Sequence, residues 1–194
     1  MTKRLTLVRH GKTGYPGRYV GALDVPLSLE GRQQIAVLSK HFTDVSPRAV
    51  FTSPMLRCRQ STDILFSSIC QEVDDDLREI DFGRWEGKSF QEIVTADPTL
   101  VEQWADWSFD FSFPGGENIG DFIHRVNRVG DRLSSATVDD VIVVAHGGVI
   151  RALICYFLKL EPSSYLLFRV KKGTFCTLDL FTDGAVLTGL NLGV

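Results

Sequence analysis

Leu5-Thr6-Leu7-Val8-Arg9-His10-Gly11 is the stretch that decides how this chain reads. Four mostly apolar residues of β-forming character run straight into a guanidinium, an imidazole and a glycine. As a strand of an open α/β sheet, the segment presents two phosphate-seeking side chains at its carboxyl edge, where such sheets bind ligands. Gly11 beside them lets backbone approach a ligand closely. A second edge of the same make-up lies far along the chain, where Val141-Ile142-Val143-Val144-Ala145 stops at His146-Gly147-Gly148. Two histidines at two strand ends suggest one site, built for a phosphoryl group. His41 and His124 lie in amphipathic helical patterns and read as ordinary surface or core residues.

Between these edges, strands and helices alternate. Ser28 caps a helix carrying Ile35, Leu38 and Phe42 at helical spacing, and Ala49-Val50-Phe51 is a short strand. Thr52-Ser53-Pro54 reads as a helix start, hydroxyl cap then proline, with the helix continuing to about Ile69. That places Arg57 near the start of a helix, on the same edge as His10. After Pro114-Gly115-Gly116 a helix follows with Ile119, Phe122, Ile123, Val126, Val129 and Leu133 on one face. The Val141 strand, a helix from about Val149, and strands near Phe175 to Phe181 and Val186 to Leu190 complete the pattern. The expected fold is a three-layer α/β/α sandwich around a mostly parallel sheet, one domain over residues 1–194. Glu79 to Phe113 stands apart, with eight acids against Arg84 and Lys88, and with Phe82, Trp85, Phe90, Trp104, Trp107, Phe109, Phe111 and Phe113. Residues 79–116 are expected to form a helical, aromatic insertion covering the active site, though most of the rings also suit a small satellite core.

Composition removes several function classes. A net charge of −3 over 194 residues gives no electrostatic case for nucleic acid or an anionic membrane. The longest apolar candidate, Val149 to Leu160, carries Arg151 and is too short to span a bilayer. The first apolar stretch is broken by Arg9 and His10 too early for a signal peptide. Cys58, Cys70, Cys155 and Cys176 form no Cys-x-x-Cys pair, so free thiols and a cytoplasmic location are expected. A homo-oligomer remains open.

Other phosphate chemistries fail on spacing. Gly11-Lys12-Thr13 would end a P-loop only with glycine at position 6, which holds Thr6; Gly87-Lys88-Ser89 fails likewise at Phe82. A cysteine phosphatase needs arginine six residues after its cysteine, where Ile64, Asp76, Glu161 and Thr182 stand. Asp74 and Asp76, as candidate aspartyl-phosphate residues, follow no apolar strand. His146-Gly147-Gly148 has the look of an esterase oxyanion loop, but there is no Gly-x-Ser-x-Gly elbow. No spacing suits zinc or a two-metal centre, and no cofactor is expected. Histidine is left as the nucleophile.

The chain resembles the histidine phosphatase superfamily, the phosphoglycerate-mutase-like enzymes. The likeness rests on Arg9 to Thr13, Gly21 to Asp24, Pro26, Leu27, Gly31, Ser53-Pro54, Arg57, Leu77 to Gly83 and Trp85-Glu86-Gly87. It continues through Pro114 to Glu117, Arg125 and Val144 to Gly148. The resemblance implies that His10 is the nucleophile, that Arg9, Arg57 and His146 bind phosphate, and that Glu79 donates a proton. Gly11, Thr13 and Gly147 complete the implied phosphate site.

Chemistry supports these roles. Neutral imidazole attacks phosphorus near neutral pH, arginine forks bind phosphoryl oxygens, and a poor alkoxide leaving group needs an acid. A protonated His146 would add a third cation, and acids near Glu79 would raise its pKa. Many relatives carry asparagine where Pro16 stands, so Tyr15, Arg18 or Tyr19 is expected to replace that phosphate contact.

Trp104 to Trp107, Phe122 to Val126 with Arg128, Leu166 to Val170, Lys172-Gly173 and Asn191 are most similar to the α-ribazole phosphatases. The likeness implies removal of the 5′-phosphate of α-ribazole phosphate in cobalamin nucleotide-loop assembly. Alternatives are a phosphoglycerate mutase, a broad-specificity sugar or nucleotide phosphatase, and a non-catalytic phosphate-binding module. A mutase would call for a cationic cover, against which the acidic, aromatic stretch argues. A binding module needs neither nucleophile nor acid.

Overall fold

Side chains of β1 (Lys3–Arg9) and β4 (Asp140–Ala145) alternate between two cores, and this alternation creates the layers. The computed structural model describes residues 3–43, 45, 47–106 and 108–193. Leu5, Leu7, Val141, Val143 and Ala145 face one side, packed with the apolar faces of α5 (Ile119–Ser135) and α6 (Gly147–Phe157). Val8, Ile142 and Val144 face the other, against α1 (Leu29–Leu38) and α2 (Leu56–Leu65). Each such aliphatic side chain contributes about 1.5–3 kcal/mol on full burial. All six apolar positions expected on α5 are buried.

With β2 (Ala49–Thr52), β3 (Gln71–Val73), β5 (Phe175–Phe181) and β6 (Gly184–Leu192), the sheet order is β3-β2-β4-β1-β5-β6. The first four strands in that order run parallel, β5 pairs antiparallel with β1, and β6 pairs antiparallel with β5. This is the expected α/β sandwich with a mostly parallel sheet. Among the described residues, no helix is long and apolar enough to cross a membrane.

Two local expectations are corrected, and one strand is added. Thr52 closes β2, and α2 begins only at Leu56, its first amide capped across the chain by Asp24 Oδ1 at 2.7 Å. The same helix stops at Leu65 rather than near Ile69. A short strand does precede Asp74: β3 is polar and partly exposed. Asp74 and Asp76 are held there by Arg132 and Arg128 of α5.

The segment after β3 contains α3 (Phe90–Ala96) and α4 (Pro98–Ala105). Ser89 and Glu92 close a reciprocal capping box on α3, and Pro98 opens α4. Trp85 is fully buried, edge-on to Trp104 and Phe113, and its Nε1 donates to Asp97 at 2.7 Å. Most of the described aromatic residues in this segment are therefore core. Phe90 and Phe109 are exposed, and Trp107 lies outside the described residues.

Candidate active site

β1 and β4 pair in register up to Arg9 opposite Ala145, and the next rung holds the two histidines. The backbone amide of His10 donates to Ala145 O at 3.1 Å, and the two rings meet edge to face, 5.1 Å apart. Both are buried. His10 Nδ1 lies 2.7 Å from Gly11 O. A carbonyl only accepts, so Nδ1 carries the proton and Nε2 keeps its lone pair. Burial first, then Arg57 and Arg9, holds the His10 pKa well below 6.5.

His146 is engaged at both nitrogens. Arg57 Nε donates to Nδ1 at 3.3 Å, which leaves the proton on Nε2, donated to Ser53 Oγ at 2.8 Å. Burial first, then Arg57, His10 and Arg9, hold its pKa well below 6.5, and with Arg57 donating to Nδ1 the ring does not supply the third cation that a protonated His146 would add. Arg57 is fully buried in the first turn of α2, and its Nη atoms donate to Leu23 O at 2.9 Å and Gly21 O at 2.7 Å. Cys58 Sγ sits 3.4 Å from His146 Nε2, and burial pushes its thiol up to about 12.

Glu79 reaches the site from the segment that follows β3. Its Oε2 accepts the amide of Gly148 at 2.9 Å in the first turn of α6, and Oε1 accepts its neighbour Ile80 N at 3.2 Å. A Cβ at Gly148 would overlap Glu79 Oε1, so only glycine admits the carboxylate here. The neighbouring acids are turned away from it. Glu86 accepts the amides of Gly21, Ala22, Leu23 and Phe82, and Asp81 accepts that of Gly83. Arg125 fixes the Glu79 segment, paired with Glu117 at 2.6 Å and donating to the carbonyls of Asp76, Arg78 and Glu79.

A cavity of about 160 Å³ brings together Arg9, His10, Thr13, Glu79 and Gly147, with Arg18, Tyr19, Phe82, Arg151 and Lys172 completing much of its wall. Arg57 and His146, both fully buried, with the His146 ring edge to face with that of His10, do not line the cavity. Gly11 does not line it either: its amide donates to Ser61 Oγ, and a Cβ there would lie 2.6 Å from Gly31 O. The glycine serves close packing of β1 on α1 instead. Of the candidates to replace the contact missing at Pro16, Arg18 and Tyr19 line the cavity and Tyr15 does not.

Sequence reasoning missed Ser53 as the partner of His146, and it missed Arg151 and Lys172. Arg151 was within reach, one helical turn beyond Gly147 on α6. The wall cations Arg9, Arg18, Arg151 and Lys172 all come from outside the acidic, aromatic stretch. Among the described residues, no cluster of three or more His, Cys, Asp or Glu side chains could hold a metal ion.

Fold and site together define a histidine-based phosphoryl site at the carboxyl edge of an α/β sheet. The chain belongs to the histidine phosphatase superfamily (branch 1), whose model matches residues 5–193. It is 30% identical to the adenosylcobalamin/alpha-ribazole phosphatase of Salmonella typhimurium, over 97% of this chain and 96% of that one. It is 26% identical to phosphoserine phosphatase 1 of Hydrogenobacter thermophilus, over 97% and 92%. The crystal structure of the alpha-ribazole phosphatase from Shigella flexneri superposes with a TM-score of 0.89 at 28% identity, covering 98% of this chain and 97% of that one. Longer mycobacterial relatives, 32% identical, are spanned over 51% of their length.

Proposed function

We propose that this protein hydrolyses phosphomonoesters through a phosphohistidine at His10. One observation carries the reading: two of the three buried side-chain polar atoms without a partner among the described residues, Arg9 Nε and Thr13 Oγ1, belong to residues lining the His10 cavity. Buried donors left without partners are costly, and a phosphoryl group satisfies them. His10 Nε2 attacks phosphorus, the bond to the ester oxygen breaks, and Glu79 gives that oxygen its proton. Water then attacks the phosphohistidine and returns a proton to Glu79. Inorganic phosphate leaves, and His10 is neutral again. Arg9 and Thr13 hold the phosphoryl oxygens, with the buried pair of Arg57 and His146 beside the His10 ring supporting them.

The substrate we propose is α-ribazole phosphate, with the reaction placed in the cytoplasm and residues 79–116 acting as cover. Likeness to phosphatases of that name supports it, as do Tyr19 and Phe82 in the cavity wall. Aromatic side chains there offer a benzimidazole-like ring about 1–3 kcal/mol of stacking.

Brief incubation with labelled substrate and a quench should trap acid-labile, base-stable label that His10→Ala does not acquire. Purified protein should show higher kcat/KM for α-ribazole phosphate than for 3-phosphoglycerate, with chelator leaving the rate intact. Mutase turnover exceeding hydrolysis would overturn the substrate. Equal labelling of His10→Ala would overturn the mechanism.

A further inference from the structure

An open groove of about 660 Å³ adjoins the catalytic cavity and shares Arg9, Arg151 and Lys172 with it. Lys12, Arg169 and Lys171 add further positive charge, and no carboxylate side chain lines the groove. Of these cations Lys12 pairs with the exposed Glu30; among the described residues Arg151, Arg169, Lys171 and Lys172 have no carboxylate partner. A chain with a net charge of −3 thus gathers six of its 21 lysines and arginines beside its reacting centre.

The backbone that presents them is tied down on three sides. Arg9 Nη1 donates to Val170 O at 2.6 Å, and Gln34 Nε2 donates to Lys172 O at 2.6 Å. Asn191, at a φ of 58°, accepts the amide of Lys171 and donates to Arg169 O, both at 2.6 Å. A solvated charged face needs no such clamps. Crowding shows in Lys172, whose ammonium is held below its ordinary pKa by burial and by Arg9, Arg57 and Lys12. Leu166 and Phe168 supply an apolar wall to the same groove.

We infer that this groove binds a second anionic group, a carboxylate or phosphate carried on the leaving-group side of a substrate, so that of two otherwise matched phosphomonoesters the one bearing that group is preferred. The inference rests on the phosphatase reading and sharpens its substrate class. α-Ribazole phosphate carries no such second group, so its proposed preference rests on stacking at Tyr19 and Phe82 in the cavity and is independent of the groove. Arg169 and Lys171 are the specificity residues: both are exposed, and neither lines the catalytic cavity.

Two matched pairs test this. Adenosine 3′,5′-bisphosphate against adenosine 5′-monophosphate reads a second phosphate; 3-phosphoglycerate against glycerol 3-phosphate reads a carboxylate. In the intact protein the doubly anionic member of at least one pair should have kcat/KM higher by about tenfold, mostly through KM. The Arg169→Ala/Lys171→Ala protein should lose that preference, while changing p-nitrophenyl phosphate turnover less than about twofold. High salt should erase the preference too, because about 1 M salt shortens the screening length to about 3 Å. No preference in either pair, or equal loss for singly and doubly anionic substrates, overturns the inference.

Binding to His10→Ala, read by calorimetry, separates this from the phosphatase reading. A tighter bisphosphate whose advantage vanishes on adding the two groove substitutions upholds the groove even if the intact protein turns nothing over. An advantage that survives those substitutions overturns it.

Discussion

The ends of β1 and β4 are alike in sequence, an apolar run closing on histidine and glycine, yet the fold gives them different chemistry. His10 spends one ring nitrogen on its neighbour's carbonyl and keeps the other for the cavity. His146 spends both, on Arg57 and Ser53, and does not line the cavity. The difference lies in what each strand end meets. β1 runs out into a loop along the cavity, whereas β4 runs into α6 and is covered by α2. Strand-end position therefore brings a histidine to the edge, and the partners supplied from distant segments decide whether a ring nitrogen is left free.

The sharpest way to break this contrast is to exchange the two rings in turn. His10→Gln should cost more than about 10³-fold in kcat and abolish phosphohistidine. His146→Gln should be slower than the intact protein yet still acquire label at His10. Label surviving the first change, or absent after the second, would mean the roles are reversed or shared. Next in size, Glu79→Gln should slow an alkyl phosphate by about 10²–10⁴-fold and an aryl phosphate, whose phenolate needs little help, far less. Equal slowing would make Glu79 a positioning group. Gly148→Ala pushes a methyl into Glu79 and should reproduce that leaving-group dependence with a loss of up to about 10²-fold. A change insensitive to the leaving group would detach Gly148 from the acid.

Smaller effects probe the supporting ring. Ser53→Ala leaves the buried Nε2–H of His146 without its acceptor, and should cost about 1–3 kcal/mol of stability by denaturant titration. Both histidines have folded-state pKa values well below 6.5, so between those values and 6.5 the unfolded chain binds more protons. Stability is then full above pH 6.5 and falls on acidification, by up to about 1.4 kcal/mol per pH unit for each ring. Urea midpoints at pH 7.5 and 5.5 check the sign; an unchanged or higher midpoint at the lower pH would show that the rings are not buried neutral.

Both histidine edges, Arg57 and the layering could be read from sequence because periodicity two and periodicity 3.6 report burial directly. β3 escaped because Gln71-Glu72-Val73 has no apolar run; it is a strand only through pairing with β2. The start of α2 was misplaced because the best local cap, Ser53, is bonded to His146 while Asp24 supplies the cap from afar. Composition alone could not separate core rings such as Trp85 from wall rings such as Phe82. Lys172 carried no local signal, its place being set by Gln34 and by the loop that Asn191 holds.

The shared rung of His10 and His146 also bears on how the protein comes to life during folding. Positions 10 and 146 meet only when β4 docks beside β1, a pairing across most of the chain that must follow closure of a long loop. Such non-local parallel pairing is slow compared with helix formation. Helical signal regained soon after dilution from denaturant therefore belongs to a chain without a working centre, and turnover returns only once the central strands have zipped together.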